Sequence, residues 1–318
     1  MPKLDLRNAL RIKVQGGELL RLKGDGFAWE KPASDADLGD WADIVAVTGA
    51  ASDAAVGESR VIDFSASGSF TTGSKGGDVR VLGIGGGTSG NLHHGRQDSG
   101  GPGAPGLPRD ENGDVPILTL APNTEYTVEI GAGGAEITTT QPSGSLEFGN
   151  AGTATRILAG ATEVFIAPAA PVAAGSNSNG VDGPSGSGAA RWNGFSDRWL
   201  GGNGTPGLGH DGGDDLAPNN FAGPASGGGA GGRGVDREGS NGFLAGGPGY
   251  VSSITGVSQE YGRGGPVTSR DGLDDPAPLD GRDGYGDSGG NNGRFELNDN
   301  RRSGKGGHGR LILQVGDP

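Results

Sequence analysis

Glycine is the feature that most limits what this chain can fold into. It occupies 70 of the 318 positions, roughly three times its average usage of about 7 per cent. Glycine has no side chain to bury and loses the most backbone freedom on folding, so this loss must be offset by dense backbone hydrogen bonding or close backbone packing. Much of the chain therefore cannot form a conventional core of apolar side chains.

Glycine-rich chains include collagen, flexible linkers and ordered folds. Residues 227–235 read GGGAGGRGV, which breaks the strict three-residue period of a collagen triple helix. Large apolar residues such as Trp192, Phe243 and Ile254 recur in the glycine-rich half, whereas a Gly/Ser linker has no use for them. We therefore expect order, with runs of glycine lying side by side as hydrogen-bonded rods of the polyproline II type, because backbones without Cβ atoms can approach closely.

Short alternating segments predict an all-β fold, an antiparallel β-sandwich-like frame over residues 58–318. Each segment is bounded by Gly, Pro, Asn or Ser. The segments are residues 61–64, 68–70, 78–82, 117–120, 125–130, 146–148, 155–158, 164–166 and 309–315. Almost nothing alternates between about 175 and 307. We therefore expect long glycine-rich loops carried on strands from both ends of the domain.

The first 32 residues predict a small attachment module. Residues 10–23 alternate on either side of Gly16–Gly17, which predicts a β-hairpin. An isolated hairpin is marginal in water, so it packs either on its own chain's domain or on a neighbouring subunit. The apolar candidates for anchoring the chain to an assembly are Ile12, Val14, Leu20, Leu22 and Trp29.

A polar connector is predicted over residues 33–57. Within it, Leu38, Trp41, Ile44 and Val45 have helical spacing, which predicts one or two helical turns. The glycine-rich domain then begins at residue 58.

Charge and the absence of cysteine limit the kinds of partner and of metal site that this chain could have. Lys and Arg number 25 and Asp and Glu 38, a formal net charge of −13 with no basic block, so nucleic acid is not an expected partner. Without cysteine there is neither a disulfide nor a thiolate metal site. No stretch approaches 18 apolar residues and residues 1–17 lack an apolar core, so we expect neither a membrane span nor a signal peptide.

Three motifs resemble functional sites without the context that their chemistry needs. Residues 286–290 read GDSGG, as around a serine protease nucleophile, and residues 98–102 echo them, but no histidine stands in the expected context. Residues 85–90 have dinucleotide-type glycine spacing without a following helix. Residues 110–114 alternate oxygen ligands as calcium loops do, but lack the glycine and glutamate that complete such loops. We predict no enzymatic activity, no cofactor and no metal.

The glycine-rich loops also carry scattered aromatic residues. Small residues mixed with rigid aromatics are typical of recognition loops, although the same rings can instead hold the loops down by packing. For Trp192 and Trp199 the two roles are equally compatible with the sequence. The receptor-binding candidates are Trp192, Phe195, Trp199, Phe243, Tyr250, Tyr261 and Tyr285.

The order of these segments resembles the glycine-rich domain of phage tail proteins and tail fibres. The matching segments are 68–71, 79–87, 120–134, 146–149, 261–265 and 306–313, within a span of about residues 60–316. The resemblance implies a virion protein, commonly of the tail or of a receptor-contacting fibre, and it brings no catalytic residues.

Together these features predict a tail or tail-fibre component. Its hairpin docks on other virion proteins, and its loops bind a glycan or protein of the host surface. The alternative is a head fibre, capsid decoration or tail-tip protein whose loops make only inter-subunit contacts. In either case we expect a homo-oligomer on the virion, at the tail or on the capsid exterior.

Overall fold

All regular structure in the described part of the chain is β-structure, as predicted. No helix that could cross a membrane occurs in that part. The computed structural model describes residues 13–14, 18–23, 26–30, 41–93, 99–139, 146–173, 175, 178–190, 198–216, 223–238, 242–268, 279–291 and 301–316.

The N-terminal strands form a three-stranded antiparallel sheet of their own. They are β1 (Lys13–Val14), β2 (Glu18–Lys23) and β3 (Gly26–Glu30), in that spatial order. Strands β1 and β2 pair antiparallel on either side of Gly16–Gly17. The predicted hairpin is therefore confirmed, and β3 extends it to a meander.

Two five-stranded antiparallel sheets form the frame. Sheet one contains, in spatial order, β10 (Ile117–Leu120), β8 (Gly77–Ile84), β21 (Arg310–Val315), β6 (Ser59–Phe64) and β5 (Ser52–Val56). Sheet two contains β15 (Thr162–Ala167), β14 (Thr155–Ala159), β11 (Glu125–Glu129), β7 (Gly68–Thr72) and β4 (Ile44–Thr48). The C-terminal strand lies at the centre of sheet one, so both ends of the domain build the frame, as predicted.

The described residues also form four two-stranded antiparallel ribbons. They pair β9 (Leu92–His93) with β13 (Leu146–Glu147), β12 (Thr138–Thr139) with β20 (Arg301–Arg302), β16 (Phe243–Leu244) with β19 (Val267–Thr268), and β17 (Tyr250–Ser252) with β18 (Gln259–Tyr261).

The predicted helical turn around residues 38–45 is wrong where the structure describes it. Strand β4 begins at Ile44 and joins the edge of sheet two, and β5 joins the edge of sheet one. Ile44 is buried while its neighbour Val45 is exposed, which is the alternation of a half-buried strand. Packing on the sheets overrides the helical spacing, and the sheets take in residues within the predicted connector.

A continuous apolar core lies between the two sheets. Alternate residues point into it, as on β11, where Tyr126 and Val128 are buried and their neighbours are exposed. The ring of Phe70 stacks on Tyr126 with centroids 5.0 Å apart, and Phe64 lies 6.5 Å from Phe70. This core fixes the registers of both sheets.

The centre of sheet one is buried on both faces. Its second face carries Leu82, Ile84 and Ile312, which pack against Tyr261 and Ala230 of the glycine-rich segments. Strand β8 accordingly changes from alternating burial at its start to continuous burial at its end. The frame is therefore a three-layer structure: sheet two, sheet one and a glycine layer.

The glycine layer consists of hydrogen-bonded rods outside any sheet. Residues 225–229 exchange backbone hydrogen bonds of 2.8–3.2 Å with six other segments, which are residues 101–104, residues 186–189, residues 210–213, residues 232–235, Gly247 and Gly265. A β-strand can pair with only two neighbours. Bonding in more than two directions is expected of extended rods with three residues per turn, so the predicted side-by-side rods are present.

Close approach between rods is what requires glycine. A Cβ atom at Gly227 would lie 1.9 Å from the carbonyl oxygen of Pro102, and one at Gly100 would lie 1.7 Å from that of Gly188. The obstructing atoms are backbone, which cannot rotate away as a side chain would. Any side chain at these positions would force hydrogen-bonded rods apart.

Substituting Gly227→Ala is expected to lower the free energy of unfolding by about 3 kcal/mol, because the new methyl group overpacks the rods. Gly160→Ala is the control: Gly160 has a φ of +60° in the β14–β15 turn, and a Cβ there would have open space, so only a backbone cost of about 1 kcal/mol is expected. Urea unfolding followed by circular dichroism measures both. Equal losses would contradict a layer held by backbone contact.

A buried ion pair joins the centre of sheet one. The Arg310 guanidinium binds both carboxylate oxygens of Asp63, with a distance of 2.7 Å from Nε to Oδ1. The side chains are only 20% and 7% exposed, and the pair raises the pKa of Arg310 above its ordinary value. On the same sheet, Arg60 binds Asp53 in the same two-bond manner, but with both side chains more than one-third exposed.

Asp63→Asn should therefore destabilise the protein by about 3 kcal/mol, because it leaves a guanidinium buried without its counter-ion. Asp53→Asn removes the equivalent charge from the exposed pair and should cost less than about 1 kcal/mol. Chemical denaturation of the two variants side by side gives the comparison. If both lose the same stability, burial does not set the strength of these pairs.

Candidate functional site

The predicted receptor-binding aromatics fall into different environments. Tyr261 is fully buried and stacks on Tyr285 with centroids 5.5 Å apart, and Arg282 lies over the Tyr285 ring at 4.5 Å. A fully buried ring offers no surface to a receptor, so Tyr261 packs the glycine layer onto sheet one instead. Tyr285 belongs to the same packing and is only partly exposed.

The tryptophan-rich segment is described only at its end. Trp192 and Phe195 lie outside the described residues. Trp199 is half-buried, its carbonyl oxygen accepts a 2.9 Å hydrogen bond from the Asp215 N–H, and its indole Nε1 is buried without a hydrogen-bond partner. Trp199 thus has both buried and exposed ring surface, compatible with packing and with contact.

Phe243 stands in an open groove, here called the Phe243 groove. Its side chain is 45% exposed, and across the groove Leu279 is 48% exposed. The groove has a volume of about 420 Å³, and its walls include Pro248, Pro266 and Arg263. Its base is formed by rods that bond to each other, with the Gly264 N–H donating to the Gly247 carbonyl at 3.0 Å.

The charged side chains of the Phe243 groove already bind one another. Arg263 binds the Glu260 carboxylate, which holds the pKa of Glu260 below its ordinary value. The Arg282 guanidinium donates to Asp287 at 2.5 Å, and Asp280 accepts from Arg302 at 2.7 Å. The remaining free surface of this groove is chiefly apolar.

Tyr250 lines a second groove, here called the Tyr250 groove, of about 380 Å³. Its floor is a row across three strands of sheet one, in which the register pairs Ile117 with Arg80 and Arg80 with Gln314. One wall is the turn at residues 110–115, and the other is residues 250–254. The groove thus lies where the glycine layer ends over sheet one.

Three polar groups of the Tyr250 groove, on Arg80, Asp114 and Tyr250, have no hydrogen bond or ion pair to the described protein. The Arg80 guanidinium lies over the face of Trp41, 5.8 Å from the ring centroid. Arg109 lies over the Tyr250 ring at 5.6 Å. The groove therefore presents a guanidinium, a carboxylate and a phenol to a ligand.

The GDSGG motif has a structural role in the glycine layer. The Ser288 hydroxyl donates to the Gly103 carbonyl oxygen at 2.8 Å and accepts from the Thr88 N–H. Ser288 is buried, and Asp287 accepts from the Arg263 N–H at 3.0 Å. Both side chains tie rods together.

The other two motifs are also explained by local structure. The N–H groups of Gly86, Gly87 and Gly90 donate to carbonyls of neighbouring segments at 2.9 Å, so they are not presented to a phosphate. In the turn at 110–114, Asp110 Oδ1 accepts from the N–H groups of Asn112 and Asp114 at 2.9 Å. Among the described residues, no three His, Asp or Glu side chains are grouped to hold a metal ion.

Most of the proposed anchor residues lie on the N-terminal meander. Val14 is on β1, Leu20 and Leu22 are on β2, and Trp29 is on β3. The register pairs Leu20 with Trp29. Ile12 lies outside the described residues.

Sequence reasoning singled out Tyr250 and Phe243 but missed their companions. Arg80, Asp114 and Gln314 come from distant parts of the chain, and no local motif connects them. Only the strand pairing of sheet one brings them together, so no pattern within a window of sequence would have identified this groove.

Comparison with known proteins places the domain in a family. The family model of the glycine-rich domain matches residues 65–316. These residues contain the central strands of both sheets, the glycine layer and both grooves. No curated protein matches the chain. The chain therefore belongs to the glycine-rich domain family.

Proposed function

We propose that this protein is a structural component of a phage tail or tail fibre that contributes to host attachment through its loops. The ordered resemblance of its segments to glycine-rich domains of phage tails supports the virion assignment. The observation that carries the attachment role is the rod layer, which holds long loops in place by backbone bonds and leaves two side-chain-lined grooves open.

A fixed rod layer suits recognition outside a cell. Its loops are ordered before a ligand arrives, so binding does not have to supply the free energy of ordering them. The chain contains no cysteine, so the layer needs no disulfide and is insensitive to the redox state of its surroundings.

Solvent exposure decides which of the aromatic candidates could contact a receptor. Phe243 and Tyr250 line open grooves, whereas Tyr261 is buried. Exposed aromatic and aliphatic side chains beside polar groups are the usual contact chemistry of binding surfaces. Phe243, Tyr250 and Leu279 are therefore the contact residues that we favour.

The N-terminal meander suits attachment to the particle. Residues 1–30 contain six basic and four acidic residues, a net charge of +2, which leaves 19 basic and 34 acidic residues, or −15, for the rest. A basic module on an acidic body favours docking on an acidic neighbour while the body stays in solution.

Antibody labelling of intact virions should place the protein at the tail, and purified protein should bind host cells and block infection. Cell binding follows from exposed grooves on a rigid layer, and tail location follows from the resemblance. Electron microscopy of labelled particles and a plaque assay with added protein measure the two. Capsid or internal location without cell binding would instead support the purely structural alternative.

Deletion of residues 1–32 should leave a folded protein that no longer joins particles. The two sheets and the glycine layer draw their described strands from residue 44 onward, so circular dichroism should retain the β-signal. Particle incorporation is measured by complementation of a phage lacking the protein, with the full-length chain as control. An unfolded deletion variant would mean that the meander is part of the core.

A further inference from the structure

The two grooves differ in what their polar groups already bind. In the Phe243 groove the charged groups form ion pairs with each other, whereas in the Tyr250 groove Arg80, Asp114 and the Tyr250 hydroxyl are unpaired. From this contrast we propose that the Tyr250 groove binds a neutral saccharide. The inference deepens the proposed attachment function and rests on it.

The mixture of polar groups fits a polyhydroxyl ligand. A guanidinium only donates hydrogen bonds, a carboxylate only accepts them, and a phenol does both. Each hydroxyl of a sugar also donates and accepts, so one ring can satisfy Arg80, Asp114 and Tyr250 together. Ile117 and Val251, 57% and 60% exposed, supply apolar surface for the C–H faces of the ring.

Charge favours a neutral ligand. The groove is lined by one guanidinium, on Arg80, and by two carboxylates, on Asp110 and Asp114. A second guanidinium, on Arg109, lies over the Tyr250 ring at 5.6 Å, so the positive and negative charges around the groove balance. A charged ligand of either sign would therefore meet like charge as well as opposite charge, which disfavours its binding. Burial and the nearby Asp114 carboxylate raise the pKa of Tyr250, so its hydroxyl keeps the proton that it donates.

The groove is built before the ligand binds. In the floor, buried Gln314 is held by a 3.2 Å bond from its Nε2 to the Ser59 hydroxyl. The Asp110 N–H donates to the Asp114 carbonyl at 2.9 Å and closes the wall. A volume of about 380 Å³ falls within the range of about 300–1,000 Å³ of small-ligand sites.

The alternative occupant, an extended peptide added to the edge of sheet one, fits less well. Strand β10, at that edge, has only four residues and is bounded by Pro116 and by Ala121–Pro122. Short edge strands flanked by proline resist pairing with another strand. The edge next to the groove therefore offers a peptide few backbone partners.

Saturation-transfer NMR of the full-length protein tests the proposal with D-glucose, D-galactose, D-mannose, L-rhamnose and N-acetyl-D-glucosamine at millimolar concentration. At least one of these sugars is expected to bind. Asp114→Asn and Tyr250→Phe should each weaken that binding about tenfold, because each removes one hydrogen bond to the ligand. Neither side chain has a hydrogen bond within the described protein, so both variants should fold.

The matched control is Glu111→Gln, which removes the same charge from the same turn at a residue that does not line the groove. Binding that survives Asp114→Asn, or that falls equally in Glu111→Gln, overturns the proposal. So does the absence of binding to all five sugars, even if tail location and cell binding hold. Sugar binding by a protein located inside the capsid would support the groove while refuting the attachment function.

Discussion

Backbone hydrogen bonding between closely packed glycine rods is the interaction on which the rest of this structure depends. Residues 225–229 bond to six neighbouring segments, which requires a rod whose N–H and C=O groups point in several directions. Each such bond contributes about 1 kcal/mol net, so the layer is stable only as a cooperative set. These bonds require the rods to lie close together. Backbone carbonyl groups therefore lie beside positions such as Gly227 and Gly100, where a Cβ atom would collide with them.

Sheet one joins the glycine layer to the rest of the domain by packing on both. One face packs on sheet two through Phe64, and the other packs on the glycine layer through Ile84 and Ile312. Tyr261 is the largest buried side chain from the layer side, so it anchors rods that otherwise have few side chains to bury. The sequence predicted Tyr261 as a receptor-binding residue, but its role is packing, because the glycine layer needs an apolar contact with sheet one.

The strands and the rods were predictable because both follow from local signals. Alternation identified β6, β8, β11, β14 and β21, and glycine runs identified the rods. Periodicity failed at Ile44 and Val45, whose spacing predicts a helical turn but which lie on β4, an edge strand of sheet two. The grooves were only half predictable, since Tyr250 and Phe243 are visible as loop aromatics while Arg80 and Asp114 become neighbours through tertiary pairing alone.

A layer held by its backbone leaves side chains free for other uses. In a conventional core, large residues are needed for packing, whereas here the inner positions of the rods need glycine, and the hydrogen bonds between rods come chiefly from the backbone. Phe243 and Tyr250 lie on the short strands β16 and β17 and Asp114 lies in a turn, so none of these side chains occupies a position where two rods approach each other. This separation of stability from surface chemistry is the physical reason that a glycine-rich domain suits a binding role.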